Sequence, residues 1–314
     1  MPCLLISILC LLSWWSNAFA LTLPLPADGG DVVGQNQVIY SQSGQSLSDI
    51  AMEYGVGFYE LIEANPQVNS QNISANTPIN IPGQFVLPSG PRTGLVINLA
   101  ELRVYYYLPN SMEVMTFPIA IGKEGWGTPL AKGIVTARVK DPVWVVPVSI
   151  REESARQGII LPEAVMPGPK NPLGHYALRL SIPSVLLHGT TAPRTIGRRG
   201  SHGCMRMYPT DIETLYNTVT VGTPVRIVNE PVKIGIGAGK LYAEAHVPLQ
   251  EYPNQAIDLS ATTQAILTQK GILATPEIDW SAVQTTLAEM NGLPQEIGNI
   301  TSYMNFTAIP LAND

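Results

Sequence analysis

The chain has 314 residues, 45% hydrophobic and 13% charged, with a formal net charge of −6. Abundant apolar residues exclude intrinsic disorder, and the acidic balance leaves no basic footprint for nucleic acid. Its 27 Gly and 27 Pro follow no G-X-Y period, which excludes collagen, and 3 Cys are too few for a disulfide scaffold.

The first segment, residues 1–20, carries an apolar run from Cys3 to Leu12 that is too short to cross a bilayer. Ala18-Phe19-Ala20 supplies a small-x-small cleavage pattern, although no Lys or Arg precedes the run. A signal peptide cleaved after Ala20 is therefore expected, with export and no transmembrane segment in the mature form. An intact Met1 on the mature protein would overturn that expectation. Cleavage removes Cys3 and Cys10 and leaves Cys204 as the one thiol. A lone thiol in an oxidising compartment is either a small buried hydrophobe or a working nucleophile.

Residues 21–36 are turn-rich and weakly patterned, and read as a leader. A compact module is expected over 37–83. Val38-Ile39-Tyr40 is a strand candidate. Ser46 and Asp49 make a capping-box start, and Leu47, Ile50, Ala51 and Tyr54 fall on one helical face. Gly55 ends that helix. Phe58, Leu61 and Ile62 mark a second short helix stopped by Asn65-Pro66, and Ile79 to Pro82 returns as a strand. Asp49, Glu60 and Glu63 are expected on a solvated face. The order strand, helix, helix, strand, with Gly44 to Ala51, Tyr54-Gly55-Val56 and Ala64-Asn65-Pro66, resembles a LysM domain. The resemblance implies glycan binding to peptidoglycan. Gln45 and Ala75-Asn76 depart from the usual residues. Residues 84–93, rich in Pro and Gly, are expected to be a linker.

The catalytic region is expected over 94–228. Short strands at about ten-residue spacing, fenced by Gly and Pro, run from Leu95 to Leu108 with a turn at Ala100-Glu101. They continue over Met115–Ile121, Ile134–Val139, Trp144–Ile150, Tyr176–Leu180 and Val185–His188, and close with Val225–Val228. This pattern predicts a mainly β domain, a mixed sandwich or barrel-like sheet, rather than alternating β and α units.

His188 to Met207 is loop-like, and holds His202 beside Cys204 and four arginines, Arg194, Arg198, Arg199 and Arg206. In a chain of net −6 that is a positive island. Cations and an imidazole near a thiol are expected to lower its pKa and raise its reactivity. Gly203 lets a substrate approach the backbone, where N–H groups can stabilise an oxyanion. Thr210 and Glu213 are expected to cap a helix after Tyr208. Two other readings use the same residues: a zinc site from His188, His202 and Cys204, which lacks a fourth ligand, and a structural Cys204.

The run His188-Gly189-Thr190 followed by Ser201-His202-Gly203-Cys204 and Arg206 resembles the signature of L,D-transpeptidases with the YkuD catalytic domain. Thr128-Pro129 and Asn171-Pro172-Leu173-Gly174 extend the match. The resemblance implies Cys204 as nucleophile and His188 as the group that takes and returns its proton. His202, Ser201, Gly203, Gly189 and Arg206 then support the site. It implies no metal and no cofactor. The implied substrate is a peptidoglycan stem peptide, cleaved after its third, diamino acid, residue. The acyl group passes through a thioester to an amine, that of an outer-membrane protein lysine or of another stem. A glycan-binding protein without activity and a hydrolase using the same Cys204 remain the alternatives.

Residues 229–314 are expected to form a hairpin and a helical appendage. The hairpin joins Val232–Ile236 to Leu241–His246, one helix covers 258–270, and another is capped by Asp279 and ends at Asn291-Gly292. His175 and His246 read as structural.

Overall fold

The computed structural model describes residues 21–252, 268 and 276–300. The expected signal peptide lies outside the described residues, as does the expected helix over 258–270 apart from Thr268.

A nine-stranded sheet dominates the fold. Its spatial order is Leu21–Pro24, Glu113–Pro118, Arg103–Tyr107, Gly94–Asn98, Pro224–Val228, Ala131–Lys140, Tyr176–Leu180, Leu186–His188 and Met205–Arg206. All neighbours run antiparallel except two pairs: Gly94–Asn98 with Pro224–Val228, and Leu186–His188 with Met205–Arg206. The sheet curls into an open half-barrel. Side chains alternate across a strand, so Leu95, Ile97, Val104 and Tyr106 enter one core while Val96 and Tyr105 enter another. Gly94–Asn98 and Arg103–Tyr107 are buried on both faces because other parts of the chain cover them. Helix α4 (Pro209–Thr218) closes the first core with Ile212 and Leu215.

The N-terminal module pairs Gln37–Tyr40 with Pro78–Ile81 around helices α1 (Leu47–Tyr54) and α2 (Phe58–Glu63). The Ser46 capping box forms as expected, and Gly55 closes α1 in the left-handed conformation. Leu47, Ile50, Leu61, Ile79 and Ile81 make its core. Buried Asn65 locks the fold: its Nδ2 donates to the carbonyls of Leu61 and Asn80, and its Oδ1 accepts from Asn80 N–H, each at 2.8 Å.

Several local expectations are corrected. The leader is structured: Leu21–Pro24 edges the main sheet, and Val32–Gly34 pairs with Gln84–Val86. Each strand buries a single apolar side chain, Leu23 and Val33, too weak a pattern to read without its distant partner. The start of the expected linker is therefore a strand, with Phe85, Val86 and Leu87 buried. The expected strand Trp144–Ile150 stops at Val145, and helix α3 (Val148–Arg156) begins after Pro147. Tyr208 rather than Thr210 caps α4, with no side-chain cap and Pro209 at the first helical position. Beyond residue 229 the expected hairpin forms, but it belongs to a larger sheet. Val232–Gly237, Lys240–Ala245, Gln295–Ile300 and Pro276–Ile278 form a four-stranded sheet, with helix α5 (Trp280–Glu289) packed on it.

Glu60 does not face solvent. Its carboxylate receives both bonds of a buried ion pair from Arg103 Nη2 on the main sheet. A second buried group joins the sheet to the C-terminal part. Lys233 Nζ lies 2.8 Å from Glu101 and 2.7 Å from Glu244, and His246 Nε2 lies 2.7 Å from the same Glu244. Glu244 also accepts from Val86 N–H at 2.6 Å. Removing one partner of such a buried pair costs about 3–5 kcal/mol.

Candidate active site

The parallel pairing of Leu186–His188 with Met205–Arg206 brings the two halves of the motif together. Leu187 and Met205 are register partners, and both point into the core. His188 and its partner Arg206 therefore point to the opposite face, and the Arg206 cation acts on both His188 and Cys204. Segments far apart in sequence become neighbours through one short strand pair.

His188 is 3% exposed. Its Nδ1 lies 2.7 Å from the Gly189 carbonyl oxygen. An acceptor at Nδ1 places the ring proton there and leaves Nε2 with a free lone pair. Burial, helped by the Arg206 cation, pushes its pKa down to about 4, against the opposing pull of the Gly189 carbonyl. The ring is thus neutral at neutral pH and able to accept a proton.

Cys204 is half-buried, and its Sγ donates weakly to the Ser184 carbonyl at 3.7 Å. Burial raises its pKa, and the backbone of Leu186 and the charge of Arg206 offset only part of that. The expected lowering by a positive island is not found: burial outweighs it, and most of the island is engaged elsewhere. Arg194 pairs with Asp49 at 2.5 Å, Arg198 lies 3.2 Å over the ring of Phe58, and Arg199 pairs with Glu251 at 2.5 Å. Only Arg206 acts on the thiol. Burial thus favours the neutral form of both groups, the Cys204 thiol and the His188 imidazole.

Around Cys204 the backbone is firmly held. Ser201 is buried, and its hydroxyl donates to the Cys204 carbonyl. Gly203 has φ +98°, which only glycine adopts without strain, and its carbonyl accepts from Thr128 Oγ1 at 2.9 Å. Gly189 packs against the Leu173 carbonyl and the Ile212 side chain with no room to spare.

His202 does not approach the thiol as a ligand partner of His188. It faces α3, where its Nε2 lies 2.7 Å from Glu153 Oε2. Trp126 meets the same ring edge-on at 4.9 Å. Glu153 is held in turn by Lys123 Nζ at 2.5 Å, and bonds from Lys123 and His202 keep its carboxyl below the usual range. Glu153, Trp126 and Lys123 went unnoticed in the sequence. Glu153 lies in a stretch read as running on from a strand, so its helical position was hidden. Among the described residues the one cluster with metal-ligand spacing is Glu101, Glu244 and His246, away from Cys204. Lys233 already bridges its two carboxylates, so a cation there would have to displace that ammonium.

Comparison with known proteins gives two domain matches. Residues 92–227 match the L,D-transpeptidase catalytic domain YkuD, and residues 42–82 match the LysM domain. The probable L,D-transpeptidase YcfS of Escherichia coli strain K12 is 43% identical over 240 residues, covering 74% of this chain and 75% of the relative. The probable L,D-transpeptidase YbiS of the same strain is 38% identical over 287 residues, covering 89% and 92%. The probable L,D-transpeptidase ErfK/SrfK, also of that strain, is 34% identical over 292 residues, covering 90% and 93%.

Proposed function

The chain belongs to the L,D-transpeptidase family, with a YkuD catalytic domain and a LysM domain, and from that premise we propose that it acts on peptidoglycan stem peptides through a thioester at Cys204. His188 Nε2 takes the proton from the Cys204 thiol as sulfur attacks the carbonyl of the third residue. The tetrahedral oxyanion is met by backbone N–H groups at Gly203 and Cys204, each worth about 3–4 kcal/mol when well aimed. The C–N bond to the fourth residue breaks, and the His188 imidazolium returns its proton to the departing amine. An acceptor amine then attacks the thioester, His188 takes its proton, and the thiol is regenerated. Ser201 fixes the Cys204 carbonyl, His202 and Gly189 hold the walls of the site, and Arg206 anchors the substrate side.

The acceptor amine is that of an outer-membrane protein lysine or of a second stem. The LysM domain holds the glycan, and the enzyme works in the periplasm after cleavage behind Ala20. The observation that carries this reading is the buried His188 imidazole, its Nδ1 tied to Gly189, on the strand in register with the segment that follows Cys204. Mass spectrometry of peptidoglycan digested after exposure to wild-type and Cys204→Ala protein tests it. Stem–stem dimers or protein-linked muropeptides that vanish in the variant are expected. Tripeptide products alone would point to water as acceptor, and identical digests would overturn the reading.

A further inference from the structure

The LysM domain contacts the catalytic domain at the Arg194–Gly197 stretch that leads into Cys204. Helix α2 has no side-chain cap, because its N-cap is Gly57. Its first free N–H groups are capped by the other domain: Phe58 N–H donates to the Ile196 carbonyl at 3.3 Å, and Tyr59 N–H to the Gly197 carbonyl at 3.0 Å. Gly197 has φ +73°, and a Cβ there would lie 2.1 Å from Phe58 N, so the contact admits glycine alone. Arg198 lies over the Phe58 ring and donates to Ser48 Oγ at 3.1 Å. On the far side of the thiol, Tyr208 O–H donates to the Val56 carbonyl at 3.0 Å, and both groups are buried.

Cys204 therefore sits between two anchors, seven residues after Gly197 and four before Tyr208, and both anchors end on LysM residues 56–59. The Val56–Glu60 turn is itself fixed. Glu60 accepts from Gly57 N–H at 2.9 Å and ion-pairs with buried Arg103 on the main sheet. From Gly197 the chain passes directly into Arg199–Ser201, which pairs with Ile121–Gly122, and Ser201 then bonds the Cys204 carbonyl.

We infer that the Val56–Tyr59 turn of the LysM domain positions the Cys204 loop, so that this domain serves the chemistry as well as any glycan. The inference rests on Cys204 being the nucleophile. A domain that only gathered glycan would act on polymeric substrate and leave the reaction of a free peptide untouched. A domain that holds the loop must alter that reaction even when no sugar is present. Residues 56–59 touch no reacting atom, so they are positioning residues.

The test uses full-length Tyr208→Phe and Gly197→Ala proteins, Tyr208→Phe being the mild change that keeps the fold. Two readouts are taken: kcat and KM on a glycan-free tetrapeptide donor, and the pH profile of Cys204 alkylation by iodoacetamide. The expected result is a kcat reduced about tenfold or more in Gly197→Ala and several-fold in Tyr208→Phe, with KM within about twofold. The alkylation profile should shift in both variants at unchanged peptidoglycan sedimentation. If Gly197→Ala does not fold, Tyr208→Phe decides. Wild-type kcat and an unmoved alkylation profile in folded Tyr208→Phe would overturn the inference. A wild-type protein inert on the tetrapeptide would count instead against the proposed function, and the alkylation profiles would still decide the positioning role.

Discussion

At Cys204 and His188 the local environment sets the order of proton movements. Burial raises the thiol and lowers the imidazole, which sits near pH 4. A resting thiolate–imidazolium pair needs the reverse, a low thiol and a high imidazole. Proton transfer must therefore accompany attack. His188 is a competent base wherever it is neutral, which is above about pH 4. The rate on a tetrapeptide should fall as pH drops through that value and stay level through neutrality. Alkylation of Cys204 should instead be slow at neutral pH and climb only near or above the ordinary thiol range, about pH 8.5. A flat alkylation rate from pH 5 to 8 would show a preformed ion pair and sink this account. His188→Ala should cost about 10²–10⁴ in kcat, measured with the same donor on the folded variant.

Helix α3 shows how an element with little core of its own can serve the site. None of its residues is buried. It hangs on the paired strands Trp144–Val145 and Ala164–Val165, and Asn171 Nδ2 ties the base of that excursion to the carbonyls of Pro142 at 2.8 Å and Val165 at 3.1 Å. From the helix Glu153 reaches His202 and orients that ring. Glu153→Ala should therefore leave stability nearly unchanged and reduce kcat about tenfold, because a misplaced site group costs rate rather than folding energy. Glu153→Gln, which retains an acceptor for His202, should recover most of it. Equal kcat in all three proteins would remove His202 and Glu153 from the site.

Across the whole molecule, buried charges join parts that sequence separates by more than a hundred residues. His246 faces Glu244, Glu63 and Glu101, with Lys233 beside them. Burial alone would lower its pKa, but the Glu244 and Glu63 carboxylates prevail and hold it up at about 9, against an ordinary 6.5. A group raised in the folded state contributes stability below its unfolded pKa and loses it as pH rises through the folded one. The contribution here is at most about 3 kcal/mol, present below pH 6.5 and gone above pH 9. Calorimetry should show the melting temperature of the wild type falling from pH 7 to 10 more steeply than that of His246→Gln. Equal slopes would show that His246 is not the linked group.

The sequence by itself determined the local signals: the Ser46 cap, the apolar face of α1, the short strands of the main sheet and the His188 and Cys204 motif. Each depends on neighbours within a few residues, through hydrogen-bond capping or side-chain period. It could not determine the strands at Leu21–Pro24, Val32–Gly34 and Gln295–Ile300, whose partners lie far along the chain. Nor could it determine the direction of the charges. Glu60 read as solvated because a helical face records only its own chain. In the structure Glu60 is buried against Arg103, and Asp49 holds Arg194. Arg194 and Arg199 pair with carboxylates and Arg198 stacks on Phe58, while burial raises the Cys204 thiol against the pull of Arg206. Charge acts through space and dielectric, so only the tertiary structure decides which cation meets which anion and how much water remains between them.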